Sequence, residues 1–419
     1  MTVTSAVPTP FIVSAPGKVI IFGEHSAVFN KNAIAASVSS LRTYLLIEQS
    51  KDGDGVELDF PDINYDSKWS TEELKTIDSE VVKQAAGLKH LCPKLKEQLN
   101  LLLEGLKDSL NYYAALSFLY LYLSLCPNVK GLKFTVKSTL PIGAGLGSSA
   151  SISVCLALAM ARMGGHISCD KSISQEEKEF INHWAFIGEC CIHGTPSGID
   201  NAVATYGNAV KFKRQEDGST KFDQISNFPQ LPMVLTNTRI KRSTKILVSG
   251  VGDLVNRKPL ITEPILEAMN QVALRGSELL SDISKDIHYD ELLELIRINH
   301  GLLVAIGVSH PGLEVIKQLS DELKIGQTKL TGAGGGGCAF TLLNKDVDHS
   351  SVRKFHEKLH SNYGYQIFET GLGGVGCCFV DLKNEQYESL KHLFIDSATV
   401  QEVSLALLPS PDGSLTWTA

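Results

Sequence analysis

The stretch that most constrains this chain is Pro141-Ile-Gly-Ala-Gly-Leu-Gly-Ser-Ser-Ala150, which runs straight into the apolar segment ending at Met160. Val136 to Leu140 has strand character and stops at Pro141. Gly143, Gly145 and Gly147 fall at alternate positions, and Ser148 and Ser149 lead into a helix. A glycine-rich turn feeding a serine-started helix exposes unpaired backbone N–H groups at the positive end of the helix dipole, which is the setting for an anion and above all a phosphate. The P-loop signature is excluded, because Ser-Ser-Ala stands where that motif needs a Lys-Ser/Thr pair. A bare strand–helix connection with no ligand is the competing reading of this stretch taken alone.

Any phosphate binding has to be local. The 419-residue chain carries a net charge of −7, which gives no general attraction to nucleic acid or to an anionic membrane. Its 43% hydrophobic and 20% charged content is that of a globular chain able to bury a sizeable core, and its length suits two domains. We place the boundary near Leu231, giving an N-terminal domain 1–228 and a C-terminal domain 229–419. Nine cysteines are scattered without a C-x-x-C spacing, so a zinc site is not expected, and with no secretory signal at Met1 they read as reduced thiols in a cytoplasmic protein. The longest apolar run, Tyr112 to Cys126, is too short to span a membrane and stops at Pro127, so it is expected to be a buried helix.

Along the chain, residues 1–10 are expected to fray, and Phe11 to Phe22 to form two short strands about a turn at Pro16-Gly17. Residues 66–98 are polar and read as a loop and helical excursion. Glu176 to His193 has helical spacing and stops at Gly194. Ser197 to Phe212 is expected to be loop, strand, turn and strand, and 213–225 a hairpin tip. The second half is richer in helices, over Ile261–Leu280, Tyr289–Leu303 and Leu313–Leu323, and places the glycine run Gly332–Gly337 directly before a strand. Strands interleaved with helices throughout argue for an α+β fold with mixed or antiparallel sheets packed against helices, not for a doubly wound parallel sheet.

Four further features belong beside the first glycine loop. Lys18, at a turn in Ala15-Pro-Gly-Lys, is either solvated or a cleft ammonium that neutralises phosphate. Glu189 and Asp200 flank a helix end and a Thr-Pro-Ser-Gly turn, so that folding back would bring both to one cleft, one to hold a metal and the other to act as base. The glycine cluster 332–337 allows close backbone approach to a ligand or another loop. The basic, hydroxyl-rich Thr236-Asn-Thr-Arg-Ile-Lys-Arg-Ser-Thr244 either holds an anionic substrate or is a solvated loop.

Three of these stretches together resemble the GHMP small-molecule kinases. Ala15-Pro-Gly-Lys-Val with Gly23-Glu-His resembles that family's first motif, residues 141–150 its central motif, and Lys329-Leu-Thr-Gly-Ala-Gly-Gly-Gly-Gly-Cys338 its third, in the family's order. Gly23 to Val28, Trp184 to Val203 and Leu235 to Arg239 further resemble the eukaryotic, particularly fungal, members that phosphorylate mevalonate. Members acting on homoserine, galactose or phosphomevalonate are the alternative within the family, and ligand sensors without catalysis the alternative outside enzymology. All of Lys18, Ser149, Glu189 and Asp200 are present, which is what a catalyst needs.

The resemblance implies a two-domain GHMP kinase fold with the active site in the cleft between domains, and transfer of the ATP γ-phosphate to the mevalonate 5-hydroxyl. It implies that Gly143, Ala144, Gly145, Leu146, Gly147, Ser148 and Ser149 wrap the ATP phosphates, with Ser138 and Lys18 also at the nucleotide. It further implies Mg2+ held by Ser149 and Glu189, Asp200 as base with Lys18 beside it, and Glu24, His25 and Thr244 on the substrate side. A homodimer and inhibition by prenyl diphosphates are implied as well. Asp62 departs from the family pattern, since animal members usually carry asparagine there near the nucleotide base.

Overall fold

The first strand, β1 (Phe11–Phe22), is buried almost from end to end and pairs antiparallel with β2 (Ala33–Gln49). A register shift between Pro16 and Gly17 accommodates the proline as a bulge, so the expected pair of short strands is one continuous strand and Lys18 lies within it. The computed structural model describes residues 9–419 apart from 108, 169–171, 216–219, 226–227, 283–285, 396 and 411–412. Most of the expected frayed N-terminus and the centre of the 213–225 hairpin tip lie outside the described residues.

Ten more strands complete a 12-stranded sheet: β3 (Val56–Phe60), β4 (Tyr65–Trp69), β5 (Leu132–Ser138), β6 (Ala209–Arg214), β7 (Thr220–Ile225), β8 (Leu231–Asn237), β9 (Gly326–Leu330), β10 (Cys338–Leu343), β11 (Gln366–Leu372) and β12 (Cys378–Asp381). The main path runs β4-β3-β5-β2-β11-β8-β10-β9, with β1 and β12 on a branch and the β6–β7 hairpin leaning on β2. Every pairing is antiparallel except β3–β5, so the expected α+β class with mixed sheet is what the chain adopts. β2 and β11 meet through a single residue pair, Val38 with Leu372, where the two halves of the path join.

One large core lies under the first half of the path. The helix Leu110–Leu125 has eleven buried residues and apolar side chains on every face, because it is enclosed between the sheet and its neighbouring helices. Phe118 stacks near Trp69 at 5.8 Å and meets Phe134 edge-on at 5.2 Å. Truncating a residue such as Leu121 there would cost about 2–5 kcal/mol. A second core, built from residues such as Leu266, Ile316, Leu330 and Phe355, lies in the later half. The polar stretch 66–98 carries the expected helices, two of them with side-chain N-caps, and also most of β4, with Val81, Ala85 and Leu95 buried in the first core.

The chain from β12 onward returns to the first half. β12 pairs with β1, and Val403, Leu407 and Leu415 pack on Ile12, Tyr44 and Leu46.

The clearest departure from expectation is at 199–206. Val203 and Thr205 gave that segment strand character, yet Ile199–Tyr206 is a helix, started by left-handed Gly198 (φ 79°) and stopped at Gly207. Burial of Asn201 to Thr205, in contact with β1 and the helix Ser148–Met163, overrides local propensity. Thr244–Arg257, also unforeseen, is a helix capped by Ser243, whose side chain accepts from Ile246 N.

Candidate active site

The glycine loop has the conformation that its sequence requires. Gly143, Gly145 and Gly147 have φ of 71°, 82° and 73°, in the left-handed region that side chains disfavour. Gly147 is the N-cap of the helix Ser148–Met163 and offers no side-chain cap, so the first amides of that helix are left for a ligand.

β1 delivers Lys18 to this loop. The bulge at Pro16/Gly17 comes just before it, and Gly17 has no room for a side chain: a Cβ there would lie 2.3 Å from Leu140 Cδ2 and 2.9 Å from Leu146 O. Lys18 N donates to Leu146 O (2.8 Å) and its Nζ to Gly145 O (3.3 Å). The same Nζ lies 3.2 Å from Asp200 Oδ1. Asp200 is in the first turn of Ile199–Tyr206, where the helix dipole favours a carboxylate. Lys18 is 7% exposed, so this ion pair is shielded on the lysine side and open at the aspartate.

Glu189 sits on the helix Gln175–His193, buried behind Ser149. Its Oε2 accepts from Ser149 Oγ at 3.4 Å, and its Oε1 is buried with no hydrogen-bond partner. Burial, reinforced by the negative charge of Asp200, pushes the carboxyl up from 4.5 to about 8. A bare Glu189 thus tends to hold a proton near neutrality, and a cation at Oε1 would restore its charge. An unpartnered carboxylate oxygen beside a hydroxyl, next to a phosphate-binding loop, fits Mg2+, which takes few protein oxygens and completes its shell with phosphate and water. His193, one turn on from Glu189, places Nε2 3.1 Å from Ser149 Oγ. Sequence reading treated His193 only as a helix end; its i,i+4 spacing from Glu189 was the available signal.

Lys18, Asp200, Ser149 and the glycine loop line one cleft of about 660 Å3, together with His25, Thr244 and the start of the third glycine motif at Gly332 and Ala333. The backbone at Glu24 also lines it, but the carboxylate is committed elsewhere. Glu24 Oε1 pairs with Lys329 Nζ, both side chains fully buried, and Oε2 accepts from Asn299 Nδ2 at 3.1 Å. His25 takes a left-handed φ of 62°, and its Nε2 is 2.8 Å from Ala333 O. Burial lowers its pKa, so the ring is neutral and Nε2–H donates to that carbonyl. The first and third motifs are therefore joined twice over. Thr244 is exposed at the start of its helix, on the cleft rim.

Beside the loop opens an apolar cavity of about 110 Å3, lined among others by Phe60, Ile63, Ser138, Ile142 and Ile152. Ser138 Oγ faces Thr43 Oγ1 at 3.3 Å and accepts from Leu140 N at 3.2 Å. Asp62, at the edge of this region, is satisfied without an amide donor of its own. Its carboxylate accepts from Lys137 Nζ and from Ser138 N, each at 2.7 Å, and Lys137 also donates to Ile395 O. Among the described residues no group of three or more His, Cys, Asp and Glu side chains is placed to hold a metal, and no helix is long and apolar enough to cross a membrane.

Residues 111–208 match the family described as GHMP kinases N terminal domain, and 279–366 the GHMP kinases C terminal family. A mevalonate kinase of Saccharomyces cerevisiae is 51% identical, over 98% of this chain and 99% of the relative. The mevalonate kinase of Homo sapiens is 37% identical, over 87% and 93%. Among solved structures, that of L. major mevalonate kinase in complex with R-mevalonate superposes with a TM-score of 0.62 at 26% identity, covering 90% of this chain and 99% of the other.

Proposed function

This chain belongs to the GHMP kinases, within them to the mevalonate kinases, and from that premise we propose that it transfers the γ-phosphate of ATP to the 5-hydroxyl of (R)-mevalonate, giving 5-phosphomevalonate and ADP. One observation carries the reading: the Lys18–Asp200 pair faces the uncapped helix start of a glycine loop inside a single cleft.

Asp200 takes the proton of the 5-hydroxyl as that oxygen forms its bond to the γ-phosphorus and the bond to the bridging oxygen of ADP breaks. Lys18, with its Nζ 3.2 Å from Asp200 Oδ1, offsets charge on the transferring group. The amides of Gly143 to Ser149 hold the phosphates, and the apolar cavity beside Ser138 takes the base. Ser149 and Glu189 would hold Mg2+, which when bound supplies charge neutralisation to the triphosphate. His25 and Thr244 orient the acceptor, while the buried Glu24–Lys329 pair ties the first motif to the third. Positioning and charge neutralisation, which dominate phosphoryl transfer, are what this set of side chains provides.

The same reading includes the division into 1–228 and 229–419, a homodimer, and a place in isoprenoid and sterol synthesis in the cytoplasm. Prenyl diphosphates would inhibit by presenting a diphosphate to the glycine loop, and the adjoining apolar cavity would suit their tail. An ADP-release assay with mevalonate, phosphomevalonate, homoserine and galactose tests the assignment. Only mevalonate should give a response; ADP release on another acceptor, and not on mevalonate, would overturn it.

A further inference from the structure

The sequence of the basic loop after β8 allows an anion holder or a solvated turn. The structure divides it: Arg239 and Lys241 are exposed, while Arg242 reaches inward to the cleft. The loop is fastened to the third glycine motif. Thr238 donates to Gly337 O from both N and Oγ1, each at 2.8 Å, and Gly337 N donates to Ile240 O at 3.2 Å. From that anchor Arg242 Nη2 donates to Ala144 O at 2.7 Å, in the phosphate loop. Its Nε is buried without an acceptor, and among the described residues no carboxylate forms an ion pair with it.

Two glycines make the space it occupies. A Cβ on Gly145 would lie 2.3 Å from Arg242 Nη2, and one on Gly337 1.9 Å from Nη1. Both have left-handed φ, 82° and 67°. The guanidinium thus fills a slot cut between two loops that belong to different parts of the chain. It also completes a pattern in the phosphate loop. Ala144 O is held by Arg242, Gly145 O by Lys18 Nζ and Leu146 O by Lys18 N. Three successive carbonyls are tied to protein donors, while the amides of Gly145 to Ser149 have no backbone acceptor among the described residues. Successive free amides with their carbonyls drawn away make an anion-binding concavity.

We propose that Arg242 is a positioning residue: its planar guanidinium keys the phosphate loop to the third glycine motif and holds the loop in its anion-binding shape. A lysine ammonium is a point charge on a flexible stem and cannot span the same slot. The proposal rests on the kinase reading for its kinetic arm only, since nucleotide affinity reports on the loop directly.

The test compares wild type, Arg242→Gln and Arg242→Lys by calorimetric titration with ADP and by steady-state kinetics, with folding checked by circular dichroism. Both variants should bind ADP about tenfold or more weakly, a step of about 1.4 kcal/mol, and KM for ATP should rise while KM for mevalonate moves much less. Millimolar guanidinium should restore part of the ADP affinity to Arg242→Gln. Wild-type affinity in Arg242→Lys would show that charge alone matters and overturn the keying role. A rise confined to KM for mevalonate would overturn it too, making Arg242 a substrate contact. Wild type that binds ADP but phosphorylates no mevalonate would sink the kinase reading and leave the ADP arm decisive for Arg242. Should Arg242→Gln not fold, Arg242→Lys carries the test.

Discussion

Replacing Glu189 by glutamine should stabilise the metal-free protein while crippling it as a kinase. In the native chain the carboxyl is raised from 4.5 to about 8, first by burial and then by Asp200. Below about pH 4.5 the group is protonated in both folded and unfolded states and contributes no difference. Between there and about 8 the unfolded chain ionises while the folded one keeps its proton, so stability falls as pH rises. Above about 8 the loss is complete. At about 1.4 kcal/mol per pH unit the rise corresponds to at most ~5 kcal/mol. Glutamine keeps the shape and removes the titration. Urea denaturation of metal-free wild type and Glu189→Gln, at about pH 5 and about pH 8, reads this directly. The two proteins should diverge with pH, the variant being the more stable by a few kcal/mol at the alkaline end. Parallel pH dependence would refute the reasoning. In the kinase assay the variant should need more Mg2+, and raising Mg2+ should restore part of its rate; unchanged Mg2+ dependence would remove Glu189 from the metal site.

Two further substitutions separate chemistry from nucleotide binding. Asp200→Asn should lower turnover by about 10²–10⁴-fold, as loss of a general base does, with ADP binding retained in calorimetry; near-wild-type turnover would exclude Asp200 as base. Gly17→Ala forces a methyl against Leu146 O and Leu140, so it should push on the phosphate loop and cost about 1–3 kcal/mol of stability or ADP affinity. Unaltered melting and unaltered ADP affinity in that variant would show that the loop gives way freely.

How much of this was legible in the sequence depended on how local each signal is. The phosphate loop and its helix were legible because left-handed glycines, Pro141 and a serine-started apolar run punctuate them within twenty residues. Lys18, Asp200, Ser149 and Glu189 could be named from motif resemblance; the cleft gathers the first three around one helix start, and Glu189 lies buried behind Ser149. What stayed hidden was set by distant partners. Val203 and Thr205 argue for a strand when read alone, and only packing against β1 and the helix Ser148–Met163 makes that segment a helix. The family resemblance puts Glu24 on the substrate side, whereas its carboxylate is turned to Lys329. Asp62 departs from the family's asparagine, and the groups that hold its carboxylate, Lys137 Nζ and Ser138 N, come from another strand. The role of Arg242 depends on two glycines from separate motifs, and no window of sequence contains all three.

The buried Glu24–Lys329 pair has a consequence for how the protein must be made. The two partners are 305 positions apart, and both side chains are fully buried. A chain leaving the ribosome therefore carries Glu24 through most of its synthesis without the ammonium that makes its burial tolerable, and an isolated charge in an apolar interior costs several kcal/mol. The first motif, though it emerges early, can take its final form only after the third has been translated. Closing contacts of such long range is slow, and chaperones would meet a nascent protein whose first motif is still unfinished. Halves expressed as separate polypeptides would each expose one member of that pair, and would regain a working cleft only by finding each other.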